Sequence, residues 1–273
     1  MDSLIQVISS LFVFIVGAAI GSFLNVVIYR LPAGESILAP PSHCPRCQER
    51  LAWHDNVPVF AWFWLRGRCR YCRGAIALRY PLVEAIAGGL FLAVFWQFGP
   101  TVSAIGYCLL LSWLLALALI DCDTLTLPNP LTQSGLVAGL GFMVIQGWFE
   151  TGAFQGSADR LVTGIFGAVF ALWGLEAIAL IGSLIYGRTA MGAGDAKLLA
   201  LIGAWLGWQG AALAAFVGCA LGAFLGGGAI ALRLLDRRQP IPFGPFLALG
   251  ATLTLFWGDI IVSTYQRFLL GAG

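Results

Sequence analysis

Residues 102–121 read Val102-Ser-Ala-Ile-Gly-Tyr-Cys-Leu-Leu-Leu-Ser-Trp-Leu-Leu-Ala-Leu-Ala-Leu-Ile-Asp121. No charge occurs from Val102 to Ile120, and then a carboxylate ends the run. At 1.5 Å per residue, a helix of about 20 apolar residues crosses the hydrocarbon layer of a bilayer. The stretch therefore predicts a membrane helix with an acid at its end. Working outward, similar runs occur at about 4–28, 81–98, 131–149, 160–183, 196–209, 211–232 and 244–263. The sixth run of the chain, 196–209, is short, and only Trp208-Gln209-Gly210 parts it from the seventh.

Composition agrees. The 273-residue chain is 59% hydrophobic and 10% charged, with mean hydropathy +0.88, whereas soluble domains carry about 25% charged residues. The expected fold is an all-α polytopic membrane protein with about eight transmembrane helices and one small cytoplasmic insertion. The organisation read from the sequence is a first helix over 1–29, an insertion over 30–80, and a membrane domain over 81–273. Leu4–Tyr29 lacks a preceding basic stretch and is too long for a signal-peptide core, so it reads as the first span. The formal net charge of +2 is too small to suggest a nucleic-acid partner.

Basic residues set the expected orientation. Arg30, Arg46, Arg50, Arg66, Arg68, Arg70, Arg73 and Arg79 all lie between the first two runs, which makes that segment cytoplasmic. Alternate threading then brings 121–130, 184–195 and 233–243 to the same side, with Arg188, Arg233, Arg237 and Arg238. Only Arg160 and Arg267 fall outside.

The insertion holds Cys44-Pro-Arg-Cys47 and, 21 residues on, Cys69-Arg-Tyr-Cys72. Two Cys-x-x-Cys turns at this separation match a structural zinc ribbon, in which four thiolates close a tetrahedral site. Disulfides or free thiols are the alternatives, and a cytoplasmic location disfavours disulfides. His43 and His54 read as solvated, since four cysteines fill the site. Cys108, Cys122 and Cys219 lie in or beside apolar runs and read as small hydrophobes.

Ionisable groups within or bordering membrane helices point to function. Asp121 ends the third run, and Asp195 opens the sixth in Met191-Gly-Ala-Gly-Asp195-Ala-Lys197. The threading puts both at the cytoplasmic ends of their helices, at one depth. Two facing carboxyls that share a proton hydrolyse amides. The glycines at 192 and 194 let backbone approach Asp195, and a helix N-terminus there favours negative charge. On these residues alone, an N-capping Asp195 and a solvated Asp121 account for the pattern equally well. Asp123, two positions on, points away from Asp121 on a continuing helix. Glu84 reads as a partner of Arg79, and Glu176, in mid span, as a buried, hydrogen-bonded or protonated carboxyl.

The string Gly21-Ser-Phe-Leu-Asn-Val-Val-Ile-Tyr-Arg-Leu-Pro32 resembles the N-terminal signature of the bacterial type IV prepilin peptidase family. The paired Cys-x-x-Cys insertion, Arg79-Tyr-Pro-Leu-Val-Glu84, Asp121 seven residues before Pro128, Gly192-Ala-Gly-Asp195-Ala-Lys197 and Pro242-Phe-Gly-Pro-Phe-Leu-Ala-Leu-Gly250 follow in the family's order. Asn129 departs from it, since many members carry an acid after the proline. The resemblance implies a membrane aspartyl endopeptidase of the bacterial inner membrane. Its substrates are type IV prepilins and type II secretion pseudopilins, cut on the cytoplasmic side, usually between Gly and Phe. It implies catalytic roles for Asp121 and Asp195, and N-methylation of the new terminus from S-adenosylmethionine, associated with the N-terminal half. The competing reading is a transporter or scaffold with a zinc-ribbon docking domain. Internal repeats and midplane polar groups would mark a transporter; no clear repeat is visible, and Glu176 is the one obvious mid-span acid.

Overall fold

The computed structural model describes residues 2–187, 191–232 and 241–270. The arginines at 188, 233, 237 and 238 used for orientation lie outside the described residues. The chain divides into two compact units, Met1–Ala116 and Leu117–Gly273.

In the first unit, α1 (Asp2–Arg30) packs along α3 (Arg79–Phe98). Small residues make the contact close: a Cβ on Gly21 would lie 2.7 Å from the Glu84 Cα. Val83, Ala87, Phe91 and Val94 fill the seam from α3, with Leu24, Val27 and Ile28 buried on α1. Between these helices the chain leaves the apolar pattern. A 3-10 turn (Trp53–Asn56) and the short helix α2 (Phe60–Trp64) lie between two Cys-bearing turns. The helix α4 (Val102–Thr124) begins in this unit and ends in the second.

The second unit continues with α5 (Asn129–Thr151), α6 (Phe154–Tyr186), α7 (Ala193–Ala231) and α8 (Gly244–Leu270). α6 and α7 meet backbone to backbone at Gly167 and Gly203, where any side chain would collide with the opposite helix. Trp205 anchors α7 to α5, donating its indole N–H to Gly135 O at 2.8 Å and stacking on Phe142.

α7 is broken at Gly207, whose φ of 71° and ψ of 178° are not helical. Straight, it would put Gly218 about 35 Å from Asp195. Instead, Asp195 interacts with Asp121, Asp121 bonds Gly244, and Gly218 abuts Phe246. Both arms of α7 therefore return to one end of the unit. The boundary read at residues 208–210 is this fold-back.

Every apolar run seen in the sequence is helical. By length and composition, six of the described helices are able to cross a membrane, against the eight or so expected. Two physical reasons account for the difference. α7 is a single helix in this count although it doubles back, and α5 is the most polar of the long candidates, with Asn129, Thr132, Gln133 and Ser134 in its first turns. The large apolar side chains left on the surface, among them Phe12, Trp173, Phe216 and Phe224, fit lipid rather than water. Multiple apolar helices and this surface make the chain a multi-pass membrane protein.

One expectation is corrected. Glu176 is exposed on α6, not buried. The buried seam of that helix runs through Ala168, Ala171 and Leu175, and the next position turns about 100° away from it.

Candidate functional site

Asp121 is 5% exposed, in the last turn of α4. Leu125, with φ of 53°, stops that helix. Across from it begins α8, whose Gly244 N–H donates to Asp121 Oδ2 at 2.9 Å. The first N–H groups of a helix have no intrahelical acceptor and carry the positive end of its dipole, so a carboxylate suits them. Pro245 follows at a position where a missing N–H costs nothing.

Asp195 is 9% exposed and lies in the first turn of α7, where Gly192 is the N-cap residue. Gly194 lets this turn press on Leu127: a Cβ there would lie 3.1 Å from the Leu127 Cβ. Asp195 and Asp121 are close enough to interact electrostatically. The structure thus brings together two buried carboxyls 74 residues apart in sequence, Asp195 in the first turn of α7 and Asp121 at the end of α4 against the first N–H of α8. Asp123 is exposed, as its spacing from Asp121 predicts. Nearby, Lys197 Nζ donates to Asn129 Oδ1 at 2.8 Å, linking the starts of α7 and α5. Sequence reasoning singled out the two aspartates but missed Gly244 as a donor. The signal was present in Pro242-Phe-Gly-Pro, a helix start with a glycine at its head.

The second cluster lies in the first unit. The sulfurs of Cys44, Cys47, Cys69 and Cys72 are all within 4.8 Å of one another, close enough to hold a metal ion. Two matching turns present them. Cys44 N donates to Glu49 O and Gln48 N to Cys44 O; Cys69 N donates to Gly74 O and Arg73 N to Cys69 O. Gln48 and Arg73 occupy the left-handed region at φ of 60° and 59°, which aims each pair of thiols inward. The Cys47 backbone N–H directed at the Cys44 sulfur pulls that thiol down to about 6, with the other cysteines adding to the effect. A thiolate is the metal-binding form. His43 and His54 stand outside the set: His43 Nδ1 lies 3.1 Å from Pro41 O, and the His54 side chain is 44% exposed.

Beneath the second turn, Asp55 is buried and accepts both Nε and Nη2 of Arg70 on Oδ1, at 2.9 and 2.7 Å. Arg70 holds the Asp55 carboxyl below the usual carboxylate range. Glu84 Oε2 accepts the Val59 backbone N–H at 2.7 Å, tying the insertion to α3.

Comparison with known proteins follows this division. The family model described as Bacterial Peptidase A24 N-terminal domain matches residues 15–98, and that described as Type IV leader peptidase family matches 108–227. A protein of Aeromonas hydrophila named Prepilin leader peptidase/N-methyltransferase is 38% identical over 93% of this chain and 92% of its own length. Proteins of the same name from Aeromonas salmonicida strain A449 and Pseudomonas aeruginosa are 37% and 38% identical, covering 94% and 93% of the chain and 94% and 92% of their own lengths. No solved structure matches the chain significantly. With both segments matched in order and near-full-length relatives at this identity, the chain belongs to the type IV leader peptidase family.

Proposed function

We propose that this protein cleaves the leader peptide from type IV prepilins and type II secretion pseudopilins with Asp121 and Asp195, and then N-methylates the residue exposed. The family membership and the names of the near-full-length relatives support both activities. The observation that carries the site assignment is the pair of buried, interacting carboxyls, one in the first turn of α7 and the other accepting the first N–H of α8. One aspartate takes a proton from a water between them. The other, holding the shared proton, gives it to the scissile carbonyl oxygen. The Gly244 N–H fixes one oxygen of Asp121 and leaves the other for chemistry.

The substrate is an apolar helix with a basic leader, delivered from the bilayer. The dyad acts on the cytoplasmic side, where water and the scissile bond meet, and the enzyme resides in the bacterial inner membrane. The arginine-rich segment between α1 and α3 supports this orientation. In functional terms residues 1–29 are the first transmembrane helix, 30–80 the metal-binding insertion and 81–273 the protease domain.

The four cysteines suit zinc. Regular tetrahedral coordination with Zn–S of 2.3 Å puts sulfurs ~3.8 Å apart, and Cys44 Sγ lies 3.8 Å from Cys72 Sγ. With all four positions filled by thiolate, the ion would be structural, stabilising an insertion with a small core. S-adenosylmethionine, when bound, supplies the methyl group. The decisive test is incubation of the purified protein with a prepilin and S-adenosylmethionine, followed by mass spectrometry of the product. Leader loss without a new methyl would leave only the peptidase; an intact prepilin would refute the reading.

A further inference from the structure

Arg30 is the one buried base among the described residues, 8% exposed at the end of α1. Among the described residues its side chain makes a single hydrogen bond, from Nη1 to Ser36 O at 3.1 Å, and no carboxylate pairs with it. A buried charge without a counter-charge is strongly disfavoured unless something else supplies one. Arg30 lines a cavity of about 390 Å³ in the first unit, between α1 and the insertion. Phe23, Val26 and Leu38 give it apolar walls; Ser22 and Asn56 add polar groups. Glu84 stands just behind one wall, against the Ser22 hydroxyl and bonded to Val59, the neighbour of the lining residue Pro58.

A cavity of this size holds a small organic molecule, and its lining asks for an anionic group beside apolar surface. We propose that it binds the methyl donor, with Arg30 taking the amino-acid carboxylate of S-adenosylmethionine. This rests on the N-methyltransferase reading above. The planar guanidinium fits a carboxylate through two N–H groups, and its one protein bond leaves donors free. Phe23 and Val26 face the adenosine. The donor's sulfonium is a cation, and Glu84, behind the wall at Ser22, puts an acid on that side of the cavity. An anionic lipid headgroup would offer Arg30 the same kind of anion, and the lipid arm of the test separates the two sources.

The test measures affinity rather than turnover. Binding of S-adenosylhomocysteine and of 5′-methylthioadenosine, which lacks the amino-acid carboxylate, is measured by calorimetry on the full-length protein in nanodiscs. Arg30→Leu should weaken S-adenosylhomocysteine by about 30-fold or more and leave 5′-methylthioadenosine little changed. Arg30→Lys, keeping the charge but not the fork, should fall between. Arg50→Leu, which removes an exposed base of the same insertion, should bind both as the parent does. Equal weakening of both ligands by Arg30→Leu would overturn the carboxylate contact, and no weakening of either would place the donor elsewhere. In nanodiscs containing phosphatidylglycerol, native mass spectrometry showing lipid held by Arg30 and not displaced by S-adenosylhomocysteine would assign the cavity to lipid. Failure of the parent to bind S-adenosylhomocysteine, together with failure to methylate a trimmed pilin, would sink the methyltransferase reading itself.

Discussion

The first N–H of α8, from Gly244, donates to Asp121 Oδ2 at 2.9 Å, although 123 residues separate the two in sequence. The contact exists because residue 244 has no side chain: a Cβ there would sit 2.8 Å from the same oxygen. Gly244→Ala should therefore push Asp121 off its position while leaving the helices intact. Misplacement of a reacting group by about 1 Å costs on the order of 100-fold in rate. A loss of about 10- to 100-fold in prepilin cleavage is expected. Gly192→Ala is the control, since a Cβ there lies at an ordinary 3.6 Å from Asp195 Oδ2; its cleavage rate should change little. Equal rates for the two variants would remove the positioning role of Gly244.

Asp121→Asn and Asp195→Asn should each abolish cleavage, because neither amide can replace an acid or base in the pair. Asp123→Asn should retain most activity, its side chain being exposed while Asp121 is buried. Leader removal followed on gels, with folding checked by thermal unfolding, decides the matter. Loss in Asp123→Asn with retention in Asp121→Asn would move the assignment by two residues.

Much of this was legible in the sequence for identifiable reasons. Apolar runs with at most one or two charges have one low-energy outcome in a bilayer, so the helices could be read directly. Asp121 and Asp195 stood out because an acid against such a run is costly, and the four cysteines because their spacing is that of two turns. Three features were not legible. The residue at which α7 folds back is one: the turn was read at 208–210, and its placement at Gly207 depends on one backbone conformation that any of many glycines could adopt. The Gly244 contact is made by backbone, which carries no residue signature. Glu176 was assigned to the interior because hydropathy gives depth along a helix but not the direction of a side chain around it.

Asp55 and Arg70 give the insertion a pH dependence of definite sign. The Asp55 carboxyl is held below its ordinary range by Arg70. Its contribution is then fully present above the ordinary carboxylate value of about 4 and is lost as pH falls below that through the folded value. Asp55→Asn should destabilise the insertion near neutrality. The gap between parent and variant should hold from pH 7 to about 5 and close below about 4. Thiol protonation acts on both proteins and cancels in the comparison. Protease sensitivity of residues 30–80 across this range is the measurement, and a gap that widens in acid would contradict the ion-pair account.

The two clusters lie in different units of the chain, the carboxyls in Leu117–Gly273 and the cysteines in Met1–Ala116, so the two activities should separate. Elemental analysis of the reduced, active protein should find one zinc per chain. Cys44→Ser combined with Cys47→Ser should release it, because two ligands of four are lost and the remaining pair cannot close a tetrahedron. The insertion then loses the stabilisation that a structural metal gives a small core. That insertion borders the cavity at Arg30, so methylation of a trimmed pilin peptide should fall by more than leader cleavage does. Asp195→Asn should show the converse: no cleavage of full-length prepilin, with methylation of the trimmed peptide retained. Mass spectrometry distinguishes the outcomes, since leader loss and the addition of a methyl group shift the product mass independently. Equal loss of both activities in the cysteine variant would mean that the metal supports the whole membrane fold. A correctly folded Asp195→Asn protein that cannot methylate trimmed peptide would mean that the two reactions share one site.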